Sequence, residues 1–260
     1  DRMTPTEQYL AASAHLIEIV RAQEPAIGQA ASWFAETIRA GRMVHVFASG
    51  HSRIMVEEMW PRYGSFPGFN PIVELSMTFH NLVVGANGQR QAMFIENVPG
   101  LADRILRNFA LSTDDTALVI SSSGCSVVPV EMAEAFQRAG IRVVAIISAR
   151  HSEKSTPKHR DGKRLQDFAD LVLDTGAPSG DAMVAIPGLD TPVAPGKGMR
   201  LFLLSLPQSF QLPEPPPPPI PDGPATVLVL ASNGNGALPG VNVVLNDADG
   251  GYVATHVTAD

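Results

Sequence analysis

Residues 119–132 read VISSSGCSVVPVEM: a short apolar run, three serines, a glycine, then the start of an amphipathic helix. Residues 44–53, VHVFASGHSR, repeat the grammar, with a strand-like run, a Ser-Gly turn and a helix. A β-branched run that passes through a small polar turn into a helix is the repeating unit of a parallel sheet covered by helices. Two such units point to an α/β fold, with a parallel sheet covered by helices. They also suggest a ligand. Free backbone N–H groups and the dipole at a helix N-terminus favour an anion, and serine hydroxyls add donors.

The rest of the chain continues the alternation. Helices are predicted over 5–22, with Thr6 as N-cap, and over 25–40, ending at Gly41. Strand 43–48 leads into a helix over 52–62, stopped by Pro61. A strand is predicted at 72–75, helices at 100–109 and 127–139, and strands at 116–121, 142–148 and 171–174. Residues 163–168 read as helical, and 80–98 carry no clear pattern. In an open parallel sheet ligands bind beyond the carboxyl ends of the strands, and both serine loops fall there.

At 260 residues the chain has room for one large domain with an appendage, and its 45% hydrophobic content suffices for a full core. The net charge of -7 argues against nucleic acid, which needs a basic face. Cys125 is the single cysteine, so no internal disulfide forms, which fits a cytoplasmic protein. No apolar run reaches transmembrane length, so no membrane partner is expected.

The character changes after about residue 196. Pro207, Pro213, the run Pro215–Pro219, Pro221 and Pro224 make a linker. Beyond it, alternating Val/Leu runs separated by NGNG and DADGG read as antiparallel hairpins, too few to close a sandwich. The expected organisation is 1–196, an atypical linker over 197–224 and a β-rich fragment over 225–260.

Residues 44–196 resemble the SIS (sugar isomerase) domain, in particular bacterial single-SIS-domain proteins. ASGHSRIMVEEM (48–59), FNPIVE (69–74), SSSGCSVVPVEMAEAFQRAG (121–140), KHRDGKRLQDFADLVLD (158–174) and GDAMVAIPGLDTPVAPG (180–196) carry it. The resemblance implies a flavodoxin-like doubly wound fold, a phosphosugar ligand and a homodimer or homotetramer. It implies that Ser52, Ser121, Ser122, Ser123 and Ser126 bind phosphate. After Gly196 the chain departs from the family, which continues with a long apolar helix. The tail, through GALPGVNVVLNDADGG, resembles the start of a carboxypeptidase-regulatory-type β-sandwich, as in a fusion, a frameshifted product or a truncated fragment.

The chemistry implied is removal of a proton beside a carbonyl, by an isomerase or by a lyase that then expels a leaving group; the alternative is a binding or sensory module without turnover. Glu57 and Glu58 follow the first loop, and successive helical residues point about 100° apart, so at most one faces the pocket; the resemblance to SIS isomerases and muramic-acid-phosphate etherases, which use a glutamate in this helix region, favours Glu58. His80 is the second catalytic candidate. Ser49, Gly50, His51 and Gly124 complete the two loops as binding candidates. Glu131 follows the second loop and is set to contact a sugar hydroxyl or cap the helix. Lys163, in the HRDGK segment, could neutralise phosphate, and His159 there reads as part of an exposed polar loop. His45 reads as packed inside a strand; His15 and His256 carry no role. Cys125, at a helix N-terminus, sits where a thiolate would be stabilised, and reads as a small loop residue. No cofactor is called for, and no histidine or cysteine pair has zinc-ligand spacing.

Overall fold

Five parallel strands run in the order β2-β1-β3-β4-β5: β1 (Val44–Ala48), β2 (Phe69–Ile72), β3 (Thr116–Ile120), β4 (Arg142–Ile147) and β5 (Leu171–Asp174). This is a computed structural model, and it describes residues 3–59, 63, 65–77 and 88–195, with the backbone of 245–246 and 252–254. The chain forms two units, Asp1–Leu212 and Pro213–Asp260. In the second, β8 (Leu245–Asn246) and β9 (Tyr252–Ala254) pair antiparallel on either side of the DADGG sequence.

Strand side chains alternate between two cores, as a sheet buried on both faces requires. Val44, Val46, Leu118, Ile120, Val144 and Ile146 face one core. It is closed by α1 (Pro5–Arg21), α2 (Glu24–Arg39) and α3 (Ile54–Glu58), through Val20, Phe34, Met55 and Val56. Phe47, Ala117, Val119, Val143 and Ala145 face the other. There α5 (Leu101–Leu106) and α6 (Val127–Arg138) supply Ile105, Met132 and Phe136. Each large side chain so buried stabilises the fold by roughly 1.5–3 kcal/mol.

Several local expectations are corrected. The N-cap of α1 is Thr4, not Thr6: Pro5 suits the first helical position, and Thr4 and Glu7 form a reciprocal capping box. The helix after the first loop is only Ile54–Glu58, because residues Gly50–Arg53 wind as a tighter 3-10 turn. The second strand is 69–72 rather than 72–75. Pro71 reads as a loop signal, but β2 is an edge strand, where a missing N–H is tolerated. Residues Leu165–Phe168 make a single 3-10 turn in place of a helix. Four more elements carry no clear sequence signal: α4 (Gly88–Ile95), α7 (Ala149–Lys154), and the antiparallel strands β6 (Ala182–Val184) and β7 (Val193–Pro195). No helix among the described residues is long and apolar enough to cross a membrane.

Candidate functional site

The register of β1 against β3 builds the site. Ala48 pairs with Ile120, the last residue of each strand, so Ser49 and Ser121 leave the sheet side by side. The strand order makes this the switch point: from β1 the chain moves outward to β2, and from β3 outward through β4 to β5 on the other side. Connections that diverge there leave a crevice beyond the carboxyl ends of the two strands.

In the first loop Ser49 is extended, and Gly50 has a left-handed φ of +56°, which an L side chain rarely adopts. Ser49 and Ser52 are buried, while His51 is exposed. In the second loop Gly124 is also left-handed, at +61°, and a Cβ there would lie 3.1 Å from Gln166 Oε1. Two hydroxyls shape this loop: Ser121 Oγ accepts from Gly124 N at 3.2 Å and Ser123 Oγ from Cys125 N at 3.2 Å. The Ser122, Ser123 and Ser126 N–H groups make no hydrogen bond among the described residues. Ser126 is the N-cap of α6 by backbone, yet its hydroxyl does not cap the helix.

That hydroxyl goes to Glu96, just beyond α4. Ser126 Oγ donates to Glu96 Oε1 at 3.1 Å, and Ser49 Oγ donates to Glu96 Oε2 at 2.7 Å. The Glu96 carbonyl accepts from Val128 N at 2.8 Å, in the first turn of α6. One half-buried carboxylate thus ties the two loops together. Sequence reasoning missed it. Glu96 lies 47 residues from Ser49 and 30 from Ser126, in a stretch without periodic pattern.

Glu57 is exposed and paired with Arg53 at 2.6 Å, whereas Glu58 is half-buried at the end of α3. His80 lies outside the described residues. Glu131, buried on α6, accepts from Gly100 N at 2.7 Å and lines a separate cavity of about 300 Å³ with Glu134, Arg138 and Arg160. Lys163 is exposed, two residues before Leu165, whose N–H donates to the Gly124 carbonyl at 2.8 Å. His159 is not on an exposed loop: it is 4% exposed, with its ring edge-on to Phe168 and Nε2 3.4 Å from Glu134.

Cys125 is buried behind the second loop, with Arg164 Nη1 2.9 Å from its sulfur. Burial pushes the thiol above its ordinary pKa, outweighing Arg164, so the expected thiolate stabilisation does not hold.

At the opposite end of β1, His45 is packed as expected. Asn70 Nδ2 donates to His45 Nδ1 at 2.9 Å, and His45 Nε2 then donates to Asp115 Oδ2 at 3.1 Å. Arg42 grips Asp115 with two hydrogen bonds, at 2.9 and 3.0 Å, and the Ser112 N–H adds a third at 2.7 Å. Burial pushes the Asp115 carboxyl up, but these donors together outweigh it and hold it below the usual carboxylate range. The His45 ring stacks on Phe136, with centroids 5.8 Å apart.

A doubly wound parallel sheet with paired Ser/Gly loops at its switch point defines a class of small-ligand α/β domains. Within it, the family described as SIS domain matches residues 8–148, and the chain belongs to that family. A UPF0309 protein of Halalkalibacterium halodurans is 35% identical over 167 residues, 64% of this chain and 66% of that protein. A UPF0309 protein of Streptomyces coelicolor is 30% identical over 192 residues, 74% of this chain and 75% of that protein. The chain spans just under two thirds of the length of the Halalkalibacterium relative and of a Listeria innocua one. Among solved structures, a phosphoheptose isomerase from Francisella tularensis is similar at 19% identity and a TM-score of 0.47, over 78% of this chain and 94% of that one. One from Neisseria gonorrhoeae gives 16% and 0.45, over 77% and 95%.

Proposed function

We propose that the crevice between the two serine loops binds a phosphorylated sugar, a hexose or amino-sugar 6-phosphate, and that the protein isomerises it or eliminates from it by proton transfer. The observation that carries this reading is the side-by-side exit of Ser49 and Ser121 from adjacent strands at the switch point. Membership of the SIS domain family supports it. The phosphate is received by the Ser122 and Ser123 N–H groups and the Ser52, Ser122 and Ser123 hydroxyls. His51 adds a ring donor for the phosphate and Lys163 an ammonium group. Glu58 and His80 serve as proton-transfer groups at the sugar's oxygens, acting through water.

A thermal-shift titration with glucose 6-phosphate and glucosamine 6-phosphate tests binding. Ligand at a hundred times its Kd adds about 2.7 kcal/mol of stability. If neither compound nor inorganic phosphate moves the melting temperature, the reading fails. Binding without product, or without carbon-bound deuterium in heavy water, would leave a sensory module in place of an enzyme.

A further inference from the structure

Resting on the phosphosugar reading above, we propose that Glu96 is a proton-transfer carboxylate of the crevice. Ser49 and Ser126 are its positioning residues rather than ligands of the phosphate. The assignment changes the use of the two loops, which then divide their hydroxyls between two tasks.

The geometry points this way for three reasons. Each Glu96 oxygen takes one hydroxyl, and the two hydroxyls come from different loops, at 2.7 and 3.1 Å. Two donors on two oxygens fix both the plane and the position of a carboxylate, which is the requirement for a group that must meet one particular C–H bond. The backbone of Glu96 is held as well, by Val128 N at 2.8 Å, so the residue is anchored at both ends. Second, no cation among the described residues pairs with Glu96; its partners are neutral hydroxyls and an amide. Asp115, by contrast, is gripped by the Arg42 guanidinium, as a carboxylate of the scaffold is. Third, Ser126 forgoes its ordinary capping bond to hold Glu96, and the N–H groups of Ser122, Ser123 and Ser126 stay open for an anion. The phosphate has donors that do not compete with the carboxylate.

The step is a carbon-to-carbon proton shift. Glu96 takes the proton from the carbon beside the carbonyl of the open-chain sugar. The C–H electron pair becomes the C=C bond of an enediol, and the carbonyl oxygen takes a proton from water. With glucose 6-phosphate the Glu96 carboxyl then returns its proton to the former carbonyl carbon while the C2 hydroxyl gives its proton to water; with glucosamine 6-phosphate the C2 amine gives up the proton instead, and water hydrolyses the resulting imine to the ketone and ammonia. Nothing is oxidised or reduced overall.

The test uses the full chain in heavy water with glucose 6-phosphate and with glucosamine 6-phosphate, reading carbon-bound deuterium by NMR and affinity by calorimetry. Glu96→Gln keeps the shape and is expected to bind as the wild type does, with exchange slowed roughly 10²–10⁴-fold. Ser49→Ala and Ser126→Ala are expected to lower kcat with KM unchanged. Should Glu96→Gln not fold by circular dichroism, the two serine variants carry the test alone. A serine variant that loses affinity tenfold and keeps kcat overturns the assignment, since it then held phosphate. So does a Glu96→Gln protein that binds more tightly and still exchanges, which would mark Glu96 as a filler of the phosphate's place. A wild type that binds without exchange overturns this inference and leaves binding intact; a wild type that binds neither sugar overturns both.

Discussion

The two ends of β1 use the same device in opposite ways. At the amino end Asp115 joins β1, β2 and β3 through Arg42, His45 and, by way of His45, Asn70. At the carboxyl end Glu96 joins the loops that follow β1 and β3 through Ser49 and Ser126. Asp115 is 2% exposed and faces a cation; Glu96 is half-buried and, among the described residues, its carboxylate is held by two neutral hydroxyls. A buried carboxylate whose charge is matched is part of the scaffold. One held by hydroxyls beside open N–H groups keeps its charge for something else. The difference lies in the partners, not in the residue type.

The comparison can be broken at either end. The largest expected effect is at the amino end. Asp115→Asn should cost about 3 kcal/mol in urea melts, because Asp115 is buried and its carboxylate takes donors from Arg42, His45 and the Ser112 N–H. The same variant should flatten the acid limb of stability. Folding lowers the pKa of Asp115, so its contribution is complete above the ordinary carboxylate range near about 3.9 and is lost as the pH falls through its lowered value. A wild type and an Asp115→Asn protein that lose stability in parallel between pH 5 and pH 2 would refute this account.

Next comes His45→Ala, expected to cost about 2 kcal/mol, since it strips a donor from Asp115 and an acceptor from Asn70 and opens space against Phe136. The smallest effects belong to the carboxyl end. Ser49→Ala and Ser126→Ala should each change stability by about 1 kcal/mol or less. If they proved as costly as Asp115→Asn, the carboxyl-end bridge would be scaffold too.

The sheet was largely legible because β1, β3 and β4 lie inside it, are almost wholly buried and announce themselves as apolar runs, and β5 carries the short apolar run LVL. Its edge was not: Pro71 imitates a turn wherever an N–H is dispensable. α7 was hidden because ARHSEK carries no apolar stripe, and Ser148 starts it by accepting from the His151 N–H. Of the crevice, the serine loops were visible as local patterns of hydroxyls and glycines. Glu96 was not, because its role exists only after β1 and β3 pair. The burial of His159 and Cys125 was equally invisible, since a polar loop discloses its composition and not what packs over it.

The pairing of Val44 with Thr116 has a kinetic corollary. The two halves of the crevice are encoded far apart, with β2, α4 and α5 between them, and no local segment can rehearse their meeting. Closing so long a loop is a slow entropic step. Ligand capture during refolding should therefore lag behind the recovery of helical signal, and a nascent chain halted before β3 would emerge with half a binding place and nothing to hold.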